Sequence, residues 1–180
     1  ATHAFENLGA VGNVQLDART QLIDHAGVFF DLQGRPAHAR KGRKRIPKEP
    51  YKEWNAVTAA CMIVRRDLFI ELGGFDEAYR NGSEDIDLCM KIKKAGRRLI
   101  VANESVVQHH VSVSPGRKDK NAANSALFLE RWSSTAAEWG TREWPSEYLA
   151  RYARRFWKFN LTKFLKALFL LTVARIPRRG

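Results

Sequence analysis

Asn81-Gly82-Ser83-Glu84-Asp85-Ile86-Asp87-Leu88-Cys89-Met90-Lys91-Ile92-Lys93-Lys94-Ala95-Gly96 is the stretch on which the reading of this chain turns. Asn-Gly-Ser supplies turn chemistry and an N-cap candidate in Ser83, and Gly96 supplies a stop, so a helix is expected over residues 84–95. Ile86, Leu88, Cys89, Met90 and Ile92 give that helix its apolar body, and Lys91, Lys93 and Lys94 suit its C-terminal end. Glu84, Asp85 and Asp87 crowd the first turn, where unpaired backbone N–H groups and the helix dipole favour ionised carboxylates. Acids so placed are common caps, and Asp87 fits a helix-stabilising or supporting role. They are also proton acceptors. A little further on, His109 and His110 close the segment Val106-Val107-Gln108. Acids opening a helix and imidazoles ending a strand are parts from which an enzyme site is made, the first accepting protons and the second ligating metal.

Working outward, residues 10–16 read as a strand, 17–20 as a turn, and 22–30 as a second strand or hairpin arm. Residues 31–54 form a long basic loop. Ala56 to Val64 is a nearly continuous apolar run, as in a buried sheet strand. A short helix over 65–72 stops at Gly73-Gly74, residues 99–102 and 106–107 read as short strands, and 122–132 is helical. Strands alternating with helices indicate an α/β layered domain. Trp54 sits just before the apolar run, where its ring is either a face for a sugar or a lid on the core. His25 and His38 read as surface or structural, and His3 lies in a loose terminus.

At 180 residues the chain fits one domain, and 44% hydrophobic with 11% aromatic residues excludes disorder. The net charge of +12 is concentrated in two places. Residues 35–52 carry eight Lys or Arg against one acid, and residues 142–180 carry ten against two, leaving a mildly acidic body. A pI near 10.1 meets the electrostatic criterion for a nucleic-acid module. No zinc-finger spacing, RNP-like strand or helix-turn-helix accompanies it, so no nucleic acid is expected as a partner, and a basic nucleic-acid-binding or membrane-docking interaction module without catalysis is the alternative reading. Cys61 and Cys89 lack paired metal spacing and read as two buried free thiols in a reducing compartment. Ala1 is not an initiator and no cleavable leader follows, so the chain begins mid-protein or was processed.

From Ser146 to about Arg175, Leu149, Tyr152, Phe156, Phe159, Phe164, Leu168 and Leu171 recur at helical spacing among Arg151, Arg154, Arg155, Lys158, Lys163 and Lys166. Residues 161–176 are too short and too charged to span a bilayer. A basic amphipathic helix with aromatic anchors lies in an anionic membrane interface, or packs its stripe on the body or on a second copy in a homodimer. Both remain open.

Several motifs together resemble family 2 glycosyltransferases. They are Thr58-Ala59-Ala60-Cys61-Met62-Ile63-Val64-Arg65-Arg66, then Phe69 with Leu72-Gly73-Gly74-Phe75-Asp76-Glu77, then Ser83 to Cys89, Lys94-Ala95-Gly96, and Val106 to His110. Val11 to Gln15 and Asp24 to Phe30 resemble the segment ahead of that family's acceptor region, so the likeness covers about residues 10–132. It implies a GT-A fold, an α/β Rossmann-like domain, here as an acceptor-side part over 1–140 followed by a basic amphipathic helical tail over 141–180. It implies inverting transfer of a sugar from a UDP- or dTDP-sugar to a saccharide or lipid-linked acceptor in cell-envelope polysaccharide synthesis. The expected location is cytoplasmic, peripheral on the inner face of the membrane. By the same resemblance Asp85 is the base and Glu84 an acceptor contact or orienting group. Gly74, Phe75 and Asp76 lie on the acceptor side, and His109 or His110 ligates a divalent Mn²⁺ or Mg²⁺. The family's nucleotide-binding half and its Asp-x-Asp ligands are not visible ahead of residue 56, so the chain is expected to be inactive alone.

Overall fold

The computed structural model describes residues 7–80, 82–110, 121–152, 157 and 159–173. His3, Asn81 of the expected turn, and Arg154, Arg155, Phe156, Lys158, Arg175 and Ile176 of the expected tail lie outside them. In chain order the elements are β1 (Leu8–Asp17), β2 (Ile23–His25), β3 (Val28–Phe30), β4 (Pro36–His38), β5 (Tyr51–Glu53), β6 (Met62–Val64), α1 (Arg66–Glu71), α2 (Glu84–Lys94), β7 (Arg98–His109), α3 (Asn121–Tyr152) and α4 (Leu161–Val173).

The architecture is mixed α/β. Its central pair is β1 with β7, parallel from Leu8↔Arg98 to Asp17↔His109. β2 and β6 both pair antiparallel with β1, β2 at its C-terminal end and β6 at Ala10–Gly12, while β5 closes the other edge against β7. β3 and β4 form a separate hairpin. Helix α2 supplies the long crossover that a parallel pair requires, burying Leu88, Cys89, Met90 and Ile92 completely. Helix α3 covers the β3–β4 hairpin, with Phe30 and Phe128 stacked at 6.0 Å. Gly140 permits that approach, because a Cβ there would stand 2.7 Å from the Phe30 carbonyl oxygen.

Three expectations are corrected. Residues 56–64 are not one buried strand: Ala56 and Val57 are buried, Ala59–Cys61 form a 3₁₀ turn, and only Met62–Val64 extend, with Ile63 74% exposed. The Thr58 hydroxyl accepts the Ala60 N–H, and such local side-chain bonds compete with a ladder. Cys61 in consequence is exposed, whereas burial pushes the Cys89 thiol up to about 12. The two segments 99–102 and 106–107 are one strand, interrupted by a bulge at 103–105 that the Asn103 side chain pins by donating to the Glu49 carbonyl. The basic 31–54 segment contains β4 and β5.

The expected 122–132 helix is longer, and the expected boundary at 140/141 falls inside α3. Trp144 of α3 and Ala167 of α4 belong to the same core as Phe30 and Trp54.

Asp87, 1% exposed, fastens α2 to α3. Its Oδ1 accepts from Tyr79 Oη at 3.1 Å and Trp132 Nε1 at 2.7 Å, and Lys91 Nζ stands 2.9 Å from Oδ2. Asp87→Ala strands these donors inside the protein and is expected to lower unfolding free energy by about 3 kcal/mol in urea denaturation.

Glu143 of α3 accepts from Asn55 Nδ2 at 2.7 Å, and burial pushes its pKa up to about 7 against the pull of Lys52. The folded value stands above the ordinary 4.5, so folding takes up a proton between the two and stability falls as pH rises through that window. Glu143→Gln is expected to leave stability unchanged below the ordinary value. Near neutral pH and above it should add on the order of 1–3 kcal/mol, read as a flattened profile of Tm against pH.

Candidate active site

The first turn of α2 is built by its own acids. Ser83 holds the N-cap position in the left-handed region (φ 74°) and its side chain makes no cap bond. Glu84 Oε2 instead accepts the Gly82 N–H at 2.6 Å, and Asp85 Oδ1 accepts the Ile86 N–H at 2.9 Å. Asp85 Oδ2 reaches farther, accepting the Ala59 N–H of the 59–61 turn at 2.9 Å. The Thr58–Cys61 and Ser83–Cys89 motifs, 26 positions apart at this bond, thus share one corner of the fold. A non-glycine residue in left-handed geometry costs of order 1–3 kcal/mol and persists where its surroundings require it.

The acceptor-side residues sit beyond α1. Gly74 has φ 62°, Phe75 is 41% exposed against the edge of Phe69, and Asp76 caps its own turn while bonding Arg131 Nη1 at 2.6 Å. Asn124 bonds both the N–H and the carbonyl of Arg80, so α3 holds this loop from both ends. Trp54 is only 1% exposed, with Gly27 packed against its ring and Lys52 Nζ 3.8 Å from the ring centroid. It is placed in the core and offers no face to a sugar.

His109, the last residue of β7, donates Nδ1–H to Asp24 Oδ2 at 3.2 Å. Asp24, 4% exposed, also receives Lys41 Nζ at 2.5 Å, and His38 Nδ1 bonds its backbone carbonyl at 3.0 Å. Burial works to raise the Asp24 carboxyl, but Lys41, His38 and His109 outweigh it and hold the pKa below the ordinary value. Asp24 is the unpaired residue of a β-bulge, between the registers Gln15↔His25 and Leu16↔Ile23. That extra residue re-aims its side chain toward β7. His25 is fully buried and pushed down to about 3 by burial, hence neutral. His110 is exposed.

Asp85 and His109 do not touch; each is engaged in its own hydrogen bonds. Burial lowers the pKa of His38 against the opposing pull of Asp24, whose backbone carbonyl it bonds. Asp24, Lys41 and Arg151 line an open cavity of about 280 Å³ beside His109's partner. Asp24, His38, Lys41 and Arg151 were not singled out from sequence as site residues. The one available signal was the Asp24-to-Phe30 segment of the family resemblance.

A divalent metal finds a partial fit. Among the described residues no group of three or more His, Cys, Asp or Glu is gathered to hold one. The Asp24–His109 bond nevertheless fixes the tautomer that leaves Nε2 as a free lone pair, the carboxylate-supported form usual for a metal-ligating histidine. His109 therefore suits one position in a ligand set, and not a whole site.

No family model matches the chain. Among curated relatives, it is 32% identical over 140 residues to the O-antigen biosynthesis protein RfbC of Myxococcus xanthus, covering 72% of this chain and 10% of that protein. It is 38% identical over 71 residues to the N-acetylglucosaminyl-diphospho-decaprenol L-rhamnosyltransferase of Mycobacterium tuberculosis, covering 39% of this chain and 22% of that one. The rhamnosyltransferase WbbL of Escherichia coli is 38% identical over 60 residues, 32% of this chain and 23% of its own length. The chain is a glycosyltransferase homologue. It spans about a tenth of RfbC and less than a quarter of the two rhamnosyltransferases. In such a homologue the meeting of Asp85 with the 58–61 turn is the joining of two motifs that carry the likeness.

Proposed function

We propose that this glycosyltransferase homologue forms the acceptor-side and catalytic-base part of a GT-A sugar transferase, working by inversion. The donor is a UDP- or dTDP-sugar and the acceptor a hydroxyl of a saccharide or lipid-linked saccharide in cell-envelope polysaccharide synthesis. The observation that carries the reading is Asp85. It is a carboxylate at a helix N-terminus, held in place by two backbone amides, in the corner where the motifs meet. Amide bonds fix the carboxylate without neutralising it, so lone pairs remain for an incoming hydroxyl. In the displacement the acceptor oxygen bonds the anomeric carbon from the face opposite the leaving diphosphate, the carbon–phosphate oxygen bond breaks, and the hydroxyl proton goes to Asp85. Glu84 orients the acceptor, and Gly74, Phe75 and Asp76 border it. His109 Nε2 is the proposed protein ligand from this segment for Mn²⁺ or Mg²⁺, with His110 at the exposed end of the strand. The metal, when bound, supplies charge to the departing diphosphate. The relatives' names support sugar transfer and a lipid-diphosphate acceptor in one of them.

Asp85→Asn keeps one oxygen acceptor, enough for one of the two backbone amides, and removes the base. Transfer from nucleotide-sugar to acceptor in the full-length protein is expected to fall in kcat by about 10²-fold or more, with Tm and donor KM little changed. A variant that retains turnover ends the assignment.

The acceptor is proposed to be reached at a membrane surface. No helix among the described residues is long and apolar enough to cross a bilayer. Helix α4 has two apolar faces instead. Ala167 and Leu170 pack on the core and Phe164 on Tyr152, and Leu161, Leu165, Leu168, Phe169 and Val173 are 41–64% exposed along one opposite stripe. With Lys163 and Lys166 beside it and a net charge of +12, the occupant of complementary chemistry is an anionic bilayer surface. The double variant Leu165→Glu/Phe169→Glu should abolish co-sedimentation with phosphatidylglycerol-containing vesicles, and wild-type binding should weaken with added salt. Undiminished sedimentation of that variant, or association as a homodimer that buries the same stripe, removes the membrane role.

A further inference from the structure

Two open cavities share one wall, the side chain of Arg151. The first, about 280 Å³, contains Asp17, Thr20, Asp24 and Lys41 and adjoins the Asp24–His109 pair. The second, about 320 Å³, lies in the angle between α3 and α4 and reaches Lys163. Together they run from the candidate active site to the helix with the exposed apolar stripe.

Their chemistry differs along that path. At the far end Trp144, Tyr148 and Tyr152 recur every four residues on α3 and form a nearly parallel ladder, with centroids 4.9 and 6.4 Å apart and planes tilted by 24° and 10°. Arg151 stands between the two cavities with its guanidinium 5.9 Å from the Phe29 ring. Neither Arg151 nor Lys163 has an ion-pair partner among the described residues, whereas Lys41 is committed to Asp24. Asp31, the one acid of the second cavity, has its Oδ1 taken up by the Gln33 and Arg35 amides of its own turn. The second cavity thus offers two cations against the single Asp31 carboxylate, over an aromatic shelf, a combination suited to phosphate with an adjoining flat or apolar group. The first offers carboxylates and a threonine, suited to neutral sugar hydroxyls, and its Lys41 is paired with Asp24.

We infer that Arg151 and Lys163, above the Tyr148–Tyr152 shelf, bind the diphosphate of a lipid-linked sugar acceptor. The acceptor's saccharide then passes Arg151 by way of the Asp24 cavity toward the Asp85 corner, and its lipid leaves along α4. This rests on the transferase reading above and assigns the acceptor site within it. Arg151 acts here in binding, not in the chemical step.

The test is calorimetric titration of the full chain with farnesyl diphosphate, a soluble prenyl diphosphate, alongside inorganic pyrophosphate and farnesol. Farnesyl diphosphate should bind most tightly, pyrophosphate more weakly, and farnesol least. Arg151→Gln and Lys163→Gln, both at exposed positions, should each weaken farnesyl diphosphate by about tenfold. Tyr152→Leu should weaken farnesyl diphosphate and leave pyrophosphate unchanged. Circular dichroism confirms that each variant is folded. Wild-type affinity in both cation variants overturns the proposal. So does farnesol binding as tightly as the diphosphate, which marks an apolar patch only, or pyrophosphate binding as tightly as farnesyl diphosphate with no effect of Tyr152→Leu, which marks a phosphate site without a lipid. Transfer to a water-soluble saccharide, lost in Asp85→Asn, scores the transferase reading separately, so one can fail while the other stands.

Discussion

The parallel pairing of β1 with β7 is the constraint from which the site follows. A parallel pair cannot be closed by a short turn, so the chain must cross over, and the crossover here contains both the 58–61 turn and helix α2. The register ends with Asp17 opposite His109, which brings the end of β7 to the same edge as the β1–β2 bulge. One unpaired residue in that bulge, Asp24, bridges across the end of β1 to His109. Had β2 continued in regular register, alternation would have carried that carboxylate to a different facing. The polar cluster is thus a consequence of strand geometry and cannot be placed by residue type alone.

At the other side of the site, capping and chemistry draw on the same groups. The N-terminus of α2 leaves backbone donors that need acceptors, and its supply of acids exceeds that need. Glu84 and Asp85 provide the caps, and Asp87 turns inward to hold Tyr79, Lys91 and Trp132. Ser83, freed from capping, takes a left-handed conformation that a glycine would adopt at less cost. Of the three acids, Asp85 alone extends to a separate motif, and that distinguishes it from an ordinary cap.

Much of this was legible in the sequence. The limits of α2, the strand over 10–16 and the α1 helix follow from periodicity and turn residues, which are local signals. The failures are also local in origin. The run from Ala56 to Val64 is apolar throughout, and period alone does not separate a buried strand from a turn followed by an edge strand. The deciding facts were the Thr58 hydroxyl and a carboxylate 26 positions away. The expected helix over 122–132 covers only the first part of α3, which continues through Pro145 because Gly140 and Trp144 fit it against the hairpin. Asp24 stood only in a segment of the family resemblance and Arg151 only in the basic amphipathic pattern, since their importance arises from a bulge and from a cavity wall.

The contrast between α3 and α4 accounts for the way the chain ends its described fold. Helix α3 is nearly balanced in polarity over its length and owes its place to a few large contacts, Phe128, Ala136 and Trp144, on one side. Helix α4 is apolar on two sides, and a 13-residue helix of that kind gains little from propensity alone. Its inward face is satisfied by α3, leaving the outward stripe without cover among the described residues. A helix apolar around most of its circumference is stable in water only when both faces are covered. The second cover must come from outside the described fold, and the lysines flanking the stripe favour a surface that is apolar in depth and anionic at its boundary. On that geometry Lys163 belongs both to the helix with the uncovered stripe and to the wall of the α3–α4 cavity.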